Sequence, residues 1–156
     1  MVFLHETLVS EAGWVEIQQC FGHGWSIDGI PPVGLSGGLV ILSHETTGVI
    51  DILKIDCQLL VCTMSTLGIG TWVCCEVYAS NNDVEHRIVL EALRKVVDTD
   101  KVMIWIGDFN VILSISDKKG GVNFIKRGVK EFQECVSSCG LMDLGFTDHN
   151  YAWCNN

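Results

Sequence analysis

The stretch VMIWIGDFNVIL, Val102 to Leu113, decides how this chain is read. The five apolar residues from Val102 to Ile106 run without a break and predict a buried strand. Gly107, Asp108, Phe109 and Asn110 follow at once. Asp and Asn are poor strand formers and costly to bury unpaired. A carboxylate and a carboxamide two residues apart, directly after a core strand, either make a polar turn or stand at the rim of a sheet and do chemistry.

Outward from this stretch the apolar pattern changes period repeatedly. Val2 to His5 form a short apolar strand that ends at Glu6. Ser10 is placed to cap a helix running to about Cys20, with Trp14, Ile17 and Phe21 on one side and Gly22 as its stop. GHGWSIDGIPPVGLSGG, residues 22–38, reads as a loop, being rich in glycine and holding both prolines. GLVILSHE is a strand with His44 at its end, and GVIDILKIDCQLLVCTM holds one or two more. GTWVCCEVYAS alternates, with Trp72, Cys74, Glu76 and Tyr78 on one face and Val73, Cys75, Val77 and Ala79 on the other.

NDVEHRIVLEALRKVVD is the clearest helix. Asn82 and Glu85 have capping-box spacing, and Val89, Leu90, Leu93, Val96 and Val97 form an apolar stripe. His86 is assigned to its exposed part. A further helix is expected from about Val129 to Cys139, with Phe132, Cys135, Val136 and Cys139 inward and Gly140 as its stop. A turn and the start of one more strand follow. Strands interleaved with helices predict an α/β layered protein, a β-sandwich flanked by helices, with residues 1–156 as a single domain.

Composition sets the limits on function. The chain has 156 residues, 48% hydrophobic and 19% charged, which excludes a disordered chain. No apolar run reaches the roughly 18 residues that a membrane-spanning helix needs. The N-terminus lacks the basic-then-apolar pattern of a secretory signal, so an intracellular protein, nuclear or cytoplasmic, is expected. The eight cysteines include no Cys-x2-Cys pair and read as small core residues in a reducing compartment. The net charge of −9 argues against general affinity for nucleic acid. Yet five of the ten basic residues fall between 118 and 130, namely Lys118, Lys119, Lys126, Arg127 and Lys130. That cluster is either a solvated loop and helix start or a phosphate-contacting segment.

Two apolar strands thus end in acids, one before Glu6 and one before Asp108. Strand ends of this kind form ligand-binding rims in layered α/β proteins, and two carboxylates at one rim can hold a divalent cation. The same residues can also mark nothing more than the chain leaving the core.

WIGDFN at 105–110 is similar to the signature of the endonuclease/exonuclease/phosphatase superfamily. VFLHET at 2–7 resembles its strand carrying a metal-binding glutamate, SGGLVIL at 36–42 its next strand, and CEVYAS at 75–80 its strand ending in an active-site tyrosine. CGLMDLGF followed by YAWCNN resembles the region after its second helix. Together the motifs most resemble the endonuclease domain of plant LINE-type (non-LTR) retrotransposons, over nearly the whole chain. The resemblance implies a magnesium-dependent (or manganese-dependent) phosphodiester hydrolase acting on DNA. Glu6 would bind the metal, Tyr78 would contact the scissile phosphate, Asp108 would orient or deprotonate the attacking water, and Asn110 would bond a phosphate oxygen. Lys118, Lys119, Lys126 and Arg127 would meet the DNA backbone.

The resemblance also implies that parts of the site are missing. The superfamily carries an asparagine on a strand before the glutamate and a Ser-Asp-His-type motif after YAW; Asp148 and His149 precede YAW and do not replace it. The expectation is a partial domain, truncated at both ends, with hydrolysis reduced or lost. Two alternatives are a non-catalytic binding module on the same fold and a phosphatase acting on small phosphoesters or phosphoinositides.

Overall fold

Alternating apolar residues build the two sheets. The computed structural model describes residues 1–34, 37–66, 68, 70–97, 100–118 and 126–145, with only the backbone of Lys54, Lys126 and Arg127. In order, the elements are β1 (Val2–His5), α1 (Glu11–Phe21), β2 (Trp25–Ile30), β3 (Leu39–His44), β4 (Val49–Asp56), β5 (Leu59–Thr66), β6 (Gly70–Tyr78), α2 (Asp83–Val96), β7 (Val102–Asp108) and α3 (Lys126–Ser138). The chain divides into two compact units, Met1–Phe109 and Asn110–Asn156. The expected architecture, α/β with two layered sheets and flanking helices, is the one observed.

In the first unit the sheets run β1-β3-β2 and β4-β5-β6-β7. Every pairing is antiparallel except β6 with β7, which is parallel. Parallel neighbours need a crossover, and α2 supplies it. The sheets meet through Leu39 and Ile41 of one and Leu60, Cys62, Met64 and Cys74 of the other, with Phe3, Ile50, Ile52, Trp72 and Tyr78 packed around them. On the far side of the first sheet, Trp14 of α1 packs with Val40 and Leu42. The far side of the second sheet buries Val61, Val73, Cys75 and Val77, and α2 buries Val89, Leu90 and Leu93. Asn82 caps α2, its side chain accepting from the amides of Val84 and Glu85.

In the second unit, α3 buries Val129, Phe132 and Cys135 at helical spacing. It begins three residues before the expected Val129, at Lys126. Gly140 follows it in a left-handed conformation. The strand expected after residue 145 lies outside the described residues.

Two expectations are corrected here. The segment 22–38 is not all loop, because Trp25–Ile30 forms β2, paired along its length with β3. A β-carbon at Gly29 would collide with the backbone of Leu39 and Val40. The glycine lets two strands approach and is not a sign of a turn. The second correction concerns Val102–Ile106, which is not fully buried. Val102, Ile104 and Ile106 face the first sheet yet are 69%, 38% and 40% exposed. Among the described residues the first sheet has three strands and the second four, with β7 at the edge of the second.

Gly107 controls the end of β7. Its φ is +127°, and a β-carbon would sit against the Val77 carbonyl oxygen, well inside van der Waals contact. Only glycine allows β7 to stay in parallel register with β6 up to its last residue. Gly107→Ala is expected to lower stability by about 2–4 kcal/mol, from backbone strain plus overpacking. Urea unfolding measures this, and an unchanged midpoint would show that the close approach is not required.

Candidate functional site

The parallel register of β6 and β7 sets Tyr78 directly beside Asp108. Tyr78 is half-buried and Asp108 exposed, each the last residue of its strand. From the opposite sheet, β1 stops at His5, and Glu6 turns off it in a left-handed conformation with φ 54°. The Tyr78 hydroxyl donates a hydrogen bond to Glu6 Oε1. Three of the expected residues, Glu6, Tyr78 and Asp108, therefore meet at one rim of the first unit. Asn110, the fourth, opens the second unit, also left-handed with φ 49°.

Backbone and side-chain bonds hold this rim. The Ala79 amide donates to the Asp108 carbonyl at 2.9 Å, and the Tyr78 amide to the Gln58 carbonyl at 3.0 Å. The Ser80 amide donates to the Gln58 side chain. Beyond β7, the Phe109 carbonyl accepts from His86 Nε2 at 2.9 Å. His86 is only 8% exposed, which corrects its assignment to the exposed part of α2. Its spacing of three, four and seven residues from Val89, Leu90 and Leu93 puts it on the buried stripe. That spacing was legible in the sequence, and the polar ring obscured it.

The surroundings strengthen the tyrosine's hold on its proton. The Tyr78 phenol is pushed up to about 12, first by its hydrogen bond to Glu6, then by partial burial and the negative charges of Glu6 and Asp108. At neutral pH it is a neutral donor between two acids. Both carboxylates thus act on the same hydroxyl. Magnesium commonly uses one or two protein carboxylates and completes its shell with water, and this pair suits that donor chemistry. Among the described residues no three His, Cys, Asp or Glu side chains form a closed metal cluster.

Sequence reasoning passed over Glu76, two residues before Tyr78 on the same face. It is completely buried between the sheets, and neither carboxylate oxygen has a hydrogen-bond partner. Burial, followed by the nearby Cys62, pushes its carboxyl up to about 8. The available signal was one acid inside an otherwise apolar run, VCCEV. Of the basic cluster, Lys118 is exposed, Lys119 lies outside the described residues, and Lys126 and Arg127 start α3. Lys130 is exposed and pairs with Glu134 at 3.6 Å.

No protein-family model matches the sequence, and no curated protein matches it. Among solved structures, the crystal structure of truncated Caenorhabditis elegans TDP2 is similar, at a TM-score of 0.47 and 14% identity. That match covers 70% of this chain and 49% of the other, so the chain spans about half the length of that structure. A likeness at this level assigns neither a family nor a reaction. No described helix is long and apolar enough to cross a membrane.

Two measurements check the electrostatics. Removing the acceptor with Glu6→Ala is expected to bring the Tyr78 pKa from about 12 down toward the ordinary 10, read by NMR of ring-labelled tyrosine. A value that stayed near 12 would rule out the Glu6 bond as the main cause. Glu76 makes stability depend on pH in the opposite sense to a paired carboxylate. Its folded-state pKa of about 8 lies above the ordinary 4.5, so the folded chain binds the proton more tightly than the unfolded one. Stability should fall as pH rises from 4.5 to about 8 and level off above that, and Glu76→Gln should flatten this slope in urea titrations. A variant that kept the full slope would assign it to other groups.

Proposed function

We propose that the chain carries the core of a metal-dependent phosphodiester hydrolase of the endonuclease/exonuclease/phosphatase type, derived from a retroelement DNA endonuclease. The observation that carries this reading is the convergence of Glu6, Tyr78 and Asp108 at one rim, from three strands distant in sequence. The ordered motifs VFLHET, SGGLVIL, CEVYAS and WIGDFN support it.

The chemistry follows from the residue types. Phosphodiester hydrolysis needs an activated water and fixed donors where negative charge develops on the phosphoryl oxygens. Glu6 would hold the magnesium, which supplies charge stabilisation at those oxygens when bound. Asp108, exposed at the strand end, would accept a hydrogen bond from the attacking water or take its proton. Tyr78 has a single O–H, donated to Glu6 here; with Glu6 turned to the metal, that hydrogen would be free to bond a phosphate oxygen. Asn110 would add an amide donor. DNA is the substrate class we infer, with Lys118, Lys119, Lys126 and Arg127 as backbone contacts; such contacts weaken steeply with salt.

Nicking of supercoiled plasmid with magnesium or manganese tests the proposal. Asp108→Ala is expected to reduce the rate by about 10²–10⁴-fold. Absence of any metal-dependent nicking by the unaltered chain would reject the hydrolytic reading.

A further inference from the structure

We propose that His86 is a positioning residue for this site, holding the Asp108–Phe109 rim in place through the Phe109 carbonyl. The inference rests on the hydrolytic reading of Asp108. His86 never touches the reacting atoms in this account, and it acts through the backbone.

A carbonyl oxygen can only accept, so His86 Nε2 carries the proton and donates to Phe109 at 2.9 Å. β7 ends at Asp108, so this carbonyl lies beyond the strand's ladder. The preceding carbonyl, that of Asp108, is held by the Ala79 amide at 2.9 Å. These two carbonyls lie on either side of the Phe109 α-carbon and are fixed from two different elements. With both held, the backbone cannot rotate freely at Phe109, and the turn that follows Asp108 is set.

His86 is itself anchored to the start of α2. It lies in the first turns of α2, and its amide donates to the Asn82 carbonyl at 2.8 Å. The Asn82 amide in turn donates to Ser80 Oγ at 3.1 Å. Ser80 lies two residues after Tyr78, the last residue of β6. His86 therefore links the tyrosine side of the rim to the aspartate side and keeps the two in register. His86 is only 8% exposed, so its ring donates where little water can take its place.

Two variants separate positioning from packing. His86→Leu keeps an apolar side chain of similar size on the stripe and removes the donor, while His86→Gln keeps an N–H donor. Plasmid nicking with magnesium gives kcat and KM, and hydrogen exchange at the Ala79 amide reports the rim without substrate. His86→Leu is expected to lower kcat by about 10- to 100-fold with KM nearly unchanged, as for a displaced catalytic group. Ala79 exchange should speed up about tenfold, the equivalent of one net hydrogen bond. His86→Gln should recover both to within about threefold. Parent-like kcat and exchange in His86→Leu would overturn the proposal, and so would a folded His86→Gln that fails as badly as His86→Leu. Should His86→Leu not fold, His86→Gln alone decides, since near-parent values support the role and a large kcat loss rejects it. If the parent chain does not nick DNA, the hydrolytic reading falls by itself. Unchanged Ala79 exchange in His86→Leu would then still reject His86 as the holder of the rim.

Discussion

Everything at the candidate site depends on β6 and β7 ending side by side in parallel register. Antiparallel neighbours would have put the ends of two consecutive strands at opposite edges of the sheet. The parallel pair brings Tyr78 and Asp108 to the same edge, and β1 of the facing sheet delivers Glu6 to meet them. That register needs Gly107, where no side chain fits against Val77. It also needs a crossover long enough to return the chain to the start of the sheet. Near its start the crossover helix, α2, carries His86, which bonds the Phe109 carbonyl just past the end of β7.

The interior is less uniform than its composition implies. Most of the space between the sheets is filled by leucine, isoleucine, methionine and cysteine, as expected for a sandwich core. Glu76 sits in the same layer without a partner, and at neutral pH it resists ionisation. A buried acid of this kind lowers the margin of stability available to the rest of the fold. The row Val102, Ile104 and Ile106 adds a second weak point, because apolar side chains that face inward reach solvent at the sheet edge. Both features lie on the strands that build the rim, so local stability and the candidate chemistry draw on the same residues.

Much of this architecture could be read from residue patterns. The alternation in Trp72–Tyr78, the stripe Val89, Leu90 and Leu93, and the acids after Ile106 and His5 placed the strands, the helix and the rim. Patterns that depend on a distant neighbour were harder to read. Gly29 looks like a loop residue until β3 is known to pass within reach of it. Val102–Ile106 looks fully buried until β7 is placed at the edge of its sheet. His86 carries a polar ring on a buried face, and only the position of the Phe109 carbonyl explains why burial is tolerated. Gln58 gave no sequence signal at all, because a turn glutamine is common and the two bonds it accepts come from backbone brought from elsewhere.

The left-handed backbone at Glu6 has a consequence for how this chain can change over time. A residue with a β-carbon at φ 54° is less stable there than glycine would be, by roughly 1 kcal/mol. Any drift toward greater stability therefore favours glycine at position 6, and with it loss of the carboxylate that accepts from Tyr78. A lineage released from selection on the rim would be expected to shed this glutamate early, while a lineage that uses it would keep the strained residue. The identity of position 6 among descendants and siblings of this sequence is thus a record of whether the rim has been in use.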